Sequence, residues 1–175
     1  ALRLGLIASR SPGQNQAFGV DRVISGRNFC NKLWNVARFV ENILGENYQP
    51  SKPEAKTLAD HWIISELTAA TATIDRALDS YRYAEASEAL YHAVWDSVAD
   101  WYIEASKGSQ NPDLLAWVLD TCLKLAHPFS PFVTETIWQT LPWHNTLLIN
   151  QAWPTAIDYS EISAAEFGQL QKIVT

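Results

Sequence analysis

One helical segment, 26–44, carries a polar face whose residue types suit contact with RNA. At about 100° per residue, two arginines and three asparagines share an arc of about 80°: Arg27, Asn31, Asn35, Arg38 and Asn42. We call these five residues the polar stripe. Arginine neutralises phosphate or stacks on a base, and an asparagine amide can hydrogen-bond to a base edge. The polar stripe therefore predicts a face that binds single-stranded RNA.

The borders of the polar stripe carry side chains of mixed character. Phe39 and Lys32 fall together between the stripe and the apolar face, where a half-exposed ring offers a base a stacking surface. Trp34 falls on the other border. An ordinary solvated face of a bundle helix is the alternative interpretation. The composition favours binding, because such faces normally use Glu and Lys and because asparagine is a mediocre helix former.

The opposite face of the segment is apolar and is predicted to be buried. It consists of Phe29, Cys30, Leu33, Val36, Ala37, Val40 and Leu44. A helix from about 20 to 44 is expected, with Gly45 at its C-terminal cap.

Other candidate chemistry is weaker. Asp96 and Asp100 lie one turn apart, a spacing that suits a metal or acid–base catalysis, but no histidine stands at a matching spacing and an exposed acidic stripe explains them better. The four histidines are scattered, and the sequence has no CxxC pair, no glycine-rich phosphate loop and no HExxH motif. We therefore predict no catalytic residue, no metal site and no cofactor within these residues.

Composition indicates a globular protein, with 47% hydrophobic and 18% charged residues. Neither a membrane-spanning apolar run nor a signal peptide is present, and two cysteines do not make a disulfide framework, so a cytoplasmic location is expected. The net charge of −6 would argue against a nucleic-acid partner. Residues 1–40, however, carry six basic side chains against one acidic one. Since the chain lacks an initiator methionine, we expect it to begin inside a longer protein.

Helical periodicity recurs along most of the chain. It predicts further helices over about 57–82, 84–106, 112–126, 131–141 and 161–175, with a shorter one within 1–10. Asn111 is expected to cap the helix that Pro112 opens. The stretch 143–154 alternates loosely and is predicted to be an extended loop or a strand. The expected fold is an all-α helix bundle of four to five main helices.

Four sequence blocks carry a family resemblance. GRNFCNKLWNVARFV begins at residue 26, LADHWIISEL at 58, AVWDSVADWYIEASK at 93 and LAHPFSPFVTETIWQTL at 125. In this order they resemble the anticodon-binding domain of valyl-tRNA synthetases, which are class I aminoacyl-tRNA synthetases. NFCNKLWN and the four blocks together favour these enzymes over the related isoleucyl and leucyl enzymes.

The resemblance implies a parent enzyme that joins valine to its tRNA using ATP and Mg²⁺ and edits mischarged product. The two ATP-site signatures, HIGH and KMSKS, are absent here. We therefore expect this region to bind the anticodon loop of a valine tRNA without activating valine, binding ATP or editing. It also implies contact with the catalytic and editing domains of the parent chain, and we expect a monomer.

The resemblance further implies a domain division. Residues 1–19 would form a connector that follows the catalytic domain, 20–142 the helical anticodon-binding domain, and 143–175 a C-terminal extension that ends before a coiled-coil arm.

Individual site residues follow from the resemblance and from the helical plot. The resemblance implies that Lys32, Arg38 and Phe39 face the anticodon loop, with Phe39 stacking on a base, and that Ile103 lines the same site. The plot adds residues that the resemblance does not supply: Arg27 for phosphate, and Asn31 and Asn35 for base edges. Arg22, which precedes the plotted segment, is a weaker addition.

Two other functions are compatible with the same residues. A helical protein-interaction module would dock an acidic partner on the basic stripe and show no preference among RNAs. A stand-alone paralogue related to synthetases would bind tRNA or another RNA for regulation or repair.

Replacing Leu33 by Ala is expected to lower the free energy of unfolding by about 2–5 kcal/mol, because the substitution leaves a cavity on the predicted buried face. Urea denaturation measures this loss. An unchanged midpoint would mean that the two faces of the helix have been exchanged.

Overall fold

The computed structural model describes residues 1–8 and 19–174. Its α-helices are α1 (Leu2–Ile7), α2 (Val20–Leu44), α3 (Leu58–Asp79), α4 (Tyr83–His92), α5 (Ile103–Ser106), α6 (Pro112–Ala126), α7 (Pro131–Thr140) and α8 (Glu161–Val174). No strand occurs in these residues, so the all-α prediction is confirmed. In the same part of the chain, no helix combines the length and hydropathy needed to cross a membrane. Most of the predicted connector, residues 9–18, lies outside the described residues.

The single helix expected over 84–106 has a different geometry in its middle. A π-helical segment, Ala93–Tyr102, continues α4 into α5 without a break. The prediction used the α-helical spacing throughout this segment, whereas the π segment has more residues in each turn, because its hydrogen bonds join residues five positions apart. The wider turn is rare and is often found at functional sites.

The stretch 143–154 is an extended loop with a 3₁₀ turn at Leu148–Asn150, so the strand alternative is wrong. Side chains of α7 explain why. The Glu135 carboxylate accepts hydrogen bonds from the backbone N–H groups of Leu148 (3.1 Å) and Ile149 (3.4 Å), and the Trp138 indole donates to the Thr146 carbonyl (2.8 Å). These backbone groups are therefore unavailable to a neighbouring strand.

Side-chain contacts fix the directions of the long helices. Ser97 Oγ donates to Glu66 (3.3 Å) and Tyr102 donates to Asp60 (2.9 Å), so α3 runs antiparallel to α4 and the π segment. Along α2, by contrast, Phe29 meets Tyr91 and Lys32 meets Asp100, so α2 and the π segment run in the same direction. In addition, α6 packs against α2 and α3, and α8 packs along α3.

The predicted apolar face of α2 enters the core. Five of its members are buried: Phe29, Leu33, Val36, Ala37 and Val40. Cys30 is only half-buried, so its assignment to the core is wrong. Its sulfur lies 3.9 Å from both the N-terminal nitrogen of Ala1 and Ser130 Oγ, at the edge where α1, α2 and the start of α7 meet.

The crossing of α1 over α2 depends on two glycines. A Cβ atom added at Gly26 would lie 2.5 Å from the Ala1 carbonyl oxygen, and one added at Gly5 would lie 2.9 Å from the Arg22 carbonyl oxygen. The two helices therefore touch backbone to backbone, which no larger residue at positions 5 and 26 allows.

A buried carboxylate, that of Asp60, joins four segments of the bundle. Its Oδ2 accepts hydrogen bonds from the backbone N–H groups of Lys56 (2.9 Å) and Thr57 (3.2 Å) and from Asn111 Nδ2 (2.9 Å). Its Oδ1 accepts the Tyr102 hydroxyl (2.9 Å). Burial and the carboxylate raise the pKa of Tyr102, which keeps the phenol protonated as a donor.

Asn111 occupies the N-cap position of α6, but its side chain makes no capping hydrogen bond. Its Nδ2 group instead donates to Asp60 and to the Glu54 carbonyl oxygen (2.8 Å). The predicted position is therefore correct and the predicted hydrogen bond is wrong: Nδ2 is directed toward Asp60 and Glu54, and Oδ1, the atom that would cap the helix, is buried without a hydrogen-bond partner.

Replacing Asp60 by Ala is expected to lower the free energy of unfolding by about 3 kcal/mol or more, because several buried donors lose their acceptor. Denaturant unfolding measures this loss. Asp75→Ala is the matched control on an exposed site of the same helix and should change stability by about 0.5 kcal/mol at most. Equal effects of the two variants would contradict the anchoring role of Asp60.

Candidate nucleic-acid interface

The polar stripe is a continuous exposed face of α2. All five of its members, Arg27, Asn31, Asn35, Arg38 and Asn42, are exposed. The opposite face of α2 packs into the core, so the residues of the polar stripe can remain exposed to solvent. Between Arg27 and Arg38 the stripe is about 16 Å long, at about 1.5 Å per residue.

The two borders of the polar stripe also lie where the helical plot puts them. Phe39 and Lys32 are half-buried, and Phe39 packs against the core while leaving part of its surface in solvent. Trp34, on the other border, is 38% exposed. An aromatic side chain therefore borders the stripe on each side.

Lys32 connects α2 to the π segment. Its Nζ lies 2.7 Å from Asp100 Oδ1 and 4.9 Å from the centroid of the Trp95 ring. The Lys32 side chain is 29% exposed and the Asp100 side chain 48% exposed, so the ion pair is open to solvent on one side. The ammonium is held by a carboxylate and by the face of an indole ring at once.

A row of aromatic rings lies beside this ion pair, on the side toward the core. Trp95 stacks on Tyr91 with a centroid distance of 5.3 Å and an interplanar angle of 12°. Tyr91 in turn lies 6.1 Å from the ring of buried Phe29. Burial, with a smaller contribution from the nearby Asp96 carboxylate, raises the pKa of Tyr91, so its hydroxyl stays neutral. The rings form a row from the core to the surface beside Lys32.

The two acids of the π segment have separate partners. Asp100 pairs with Lys32, and Asp96 Oδ2 lies 2.6 Å from His92 Nδ1. Among the described residues, no group of three or more His, Cys, Asp or Glu side chains is arranged to hold a metal ion. Sequence analysis missed Asp100 as a neighbour of the stripe, because its partner lies 68 positions away.

Two of the predicted site residues are less exposed than the stripe. Ile103, the first residue of α5, belongs to the hydrophobic core and is 7% exposed. Arg22 lines a cleft of about 420 Å³ between α1, α2 and α4, next to Leu4 and Gly5. The structure therefore brings Lys32, Phe39 and the stripe together on one surface, while Arg22 faces the α1 side of the helix.

Comparisons with known proteins identify a family and relatives of this chain. A family model for the anticodon-binding domain of tRNA ligase matches residues 60–175. This chain is 39% identical to the valine–tRNA ligase of Staphylococcus epidermidis over 89% of its length and 19% of the relative's. It is 39% identical to the valine–tRNA ligase of Carboxydothermus hydrogenoformans, over 95% of this chain and 20% of the relative. It is 38% identical to the valine–tRNA ligase of Mycolicibacterium paratuberculosis, over 100% of this chain and 21% of the relative.

The match covers only part of each relative. The chain spans about a fifth of the length of these ligases. The family match begins at Asp60, after α2, but the last of the three alignments covers the chain completely and so includes the polar stripe.

A solved structure shares the fold. It is the ternary complex of Agrobacterium radiobacter K84 agnB2 LeuRS with tRNA and LeuAMS. It aligns with a TM-score of 0.62 and 21% identity, over 89% of this chain and 19% of the other.

Replacing Lys32 by Met is expected to lower the free energy of unfolding by only about 1 kcal/mol. A partly solvated ion pair and one cation–π contact contribute little to stability, and Met keeps the apolar stem. Urea denaturation tests this. A loss of about 3 kcal/mol or more would mean that Lys32 is a structural residue and not free to meet a ligand.

Proposed function

This chain belongs to the family of anticodon-binding domains of tRNA ligases, and from that premise we propose that it binds the anticodon loop of a valine tRNA through the polar stripe. We propose that it acts as a monomer in the cytoplasm, as the tRNA-reading part of a valine–tRNA ligase. Aminoacylation with ATP and Mg²⁺, and editing, would then belong to the catalytic and editing domains of such a ligase.

The observation that carries this proposal is the exposed run of arginine and asparagine along α2, with half-buried Phe39 on its border. A stretch of about 16 Å offers contacts to several nucleotides, since a stacked strand rises about 3.4 Å per nucleotide. A solvated face composed of Arg and Asn, rather than of Glu and Lys, suits phosphates and base edges.

The proposed roles follow side-chain chemistry. Arg27 and Arg38 neutralise phosphates of the loop, so the affinity falls as salt rises. Asn31 and Asn35 hydrogen-bond to base edges. Phe39 offers a ring face to one splayed base, and a stacked base contributes about 1–3 kcal/mol.

Two further residues have smaller proposed roles. Ile103 is 7% exposed, so it can add only an apolar edge beside a base that Phe39 holds. Arg22, on the α1 side of α2, contributes to the long-range attraction of RNA and makes no base contact.

Replacing Phe39 by Leu is expected to weaken binding of valine tRNA by about 1–3 kcal/mol, because leucine keeps the apolar contact with the core and removes the stacking face. Fluorescence titration at low and at moderate salt measures the change, with circular dichroism as the check on folding. Phe167→Leu is the matched control: this ring packs on Trp62, 5.1 Å away, on the α8 side of the bundle. It should leave the affinity unchanged.

The same titration with a valine tRNA that carries a substituted anticodon separates the alternatives. Tighter binding to the native anticodon supports sequence reading. Equal, salt-sensitive binding to both RNAs would mean that the polar stripe binds phosphates without reading the anticodon sequence. Absence of RNA binding at low salt would contradict the proposal and favour a protein-interaction module.

A further inference from the structure

The pair formed by Lys32 and Asp100 presents opposite hydrogen-bonding groups side by side at the border of the polar stripe. The Lys32 ammonium carries three N–H donors, one of which points to Asp100 Oδ1 at 2.7 Å. Among the residues that the structure describes, Asp100 Oδ2 has no hydrogen-bond partner. Both side chains reach solvent. The pair therefore offers a free acceptor beside free donors.

This combination does not suit a phosphate. A carboxylate 2.7 Å from the ammonium repels a second anion and already neutralises the charge that would attract it. Arg27 and Arg38 have no such acid: no ion pair to either is present within the described residues. Lys32 therefore differs from the two arginines of the stripe, although all three carry the same formal charge.

A nucleobase edge fits the pair better. Adenine and cytosine each carry an exocyclic amino group, a donor, next to a ring nitrogen that accepts. A carboxylate can accept from the amino group of cytosine, which is an established form of base reading. Guanine and uracil carry a carbonyl oxygen at the equivalent position, which the Asp100 carboxylate would repel.

The pair is also held in place before any ligand arrives. The Trp95 ring lies 4.9 Å from Lys32 Nζ, and the stacked Tyr91 supports Trp95 from behind. The backbone near Asp100 is held in turn, because Tyr102, two residues later, donates a hydrogen bond to buried Asp60. Groups that are already ordered lose less entropy on binding and discriminate better between ligands.

We propose that Lys32 and Asp100 form a base-reading pair, in which Asp100 accepts from the amino group of one anticodon adenine or cytosine and Lys32 donates to the adjacent ring nitrogen. The proposal rests on the proposed function, since it assigns a specificity-determining role at the border of the same surface. It gives Lys32 a contact with a base.

Asp100→Asn tests the proposal, because the amide nearly preserves the shape and offers a donor to a carbonyl-bearing base. The probes are the anticodon stem-loop of a valine tRNA and versions in which each anticodon adenine is changed to guanine, or each cytosine to uracil, one at a time. For wild-type protein, one exchange should weaken binding at least about fivefold. In Asp100→Asn, that ratio should fall to about one.

Asp96→Asn is the matched control. It removes the same charge from the same π segment, at a side chain of similar exposure (52% against 48%) whose partner is His92 and not Lys32. It should shift the affinity for all stem-loops by one common factor and leave the ratio unchanged. Circular dichroism confirms that both variants fold.

Two results would overturn the proposal while the proposed function stands. One is a full wild-type ratio in Asp100→Asn. The other is tighter binding of every stem-loop by the same factor in both variants, which would make Asp100 only a source of repulsion. If wild-type protein binds no stem-loop at any salt concentration, the proposed function fails, and this inference fails with it.

Discussion

The buried carboxylate of Asp60 is the interaction on which the arrangement of the bundle depends. It satisfies the backbone at the start of α3, the phenol at the end of the π segment and the amide before α6. A buried charge is tolerable only when it is hydrogen-bonded, so these partners must all be in place together. Their joint position fixes where the π segment ends, and with it the level at which Asp100 meets Lys32 on α2. The position of the candidate site thus depends on a buried carboxylate on another helix.

Helix α2 has two faces of different character. Its apolar face supplies core residues such as Leu33 and Val40, and its opposite face carries the exposed polar stripe. The border between the faces carries side chains that serve both purposes. Phe39 packs on the core and keeps part of its ring in solvent, while Lys32 lies over an aromatic row that begins at Phe29. Aromatic and charged groups at such a border are rigid, because their buried part fixes their exposed part.

Much of the fold could be predicted from local patterns. The bounds of α2 and the start of α6 follow from periodicity together with Gly45 and Pro112, since these residues act within one turn of the chain. Features that depend on residues far apart in the sequence could not be predicted from local patterns. The side chain of Asn111 prefers a carboxylate that folding brings to it, and the cysteine at position 30 meets a terminus and a distant serine. The π geometry could not be predicted from the α-helical period, because its hydrogen bonds join residues five positions apart. Of the candidate site, the stripe and its borders could be read from one helix, whereas the acid beside Lys32 came from another helix altogether.

The close crossing of α1 and α2 has a consequence for how this surface can diversify. Gly26 touches the carbonyl group of Ala1 with no room for a methyl group, yet its neighbour Arg27 is exposed to solvent. One position tolerates a single amino acid and the next tolerates many. Substitutions can therefore change the exposed face residue by residue while the glycine beside it stays constant, so the chemistry of this surface can vary without a change of scaffold.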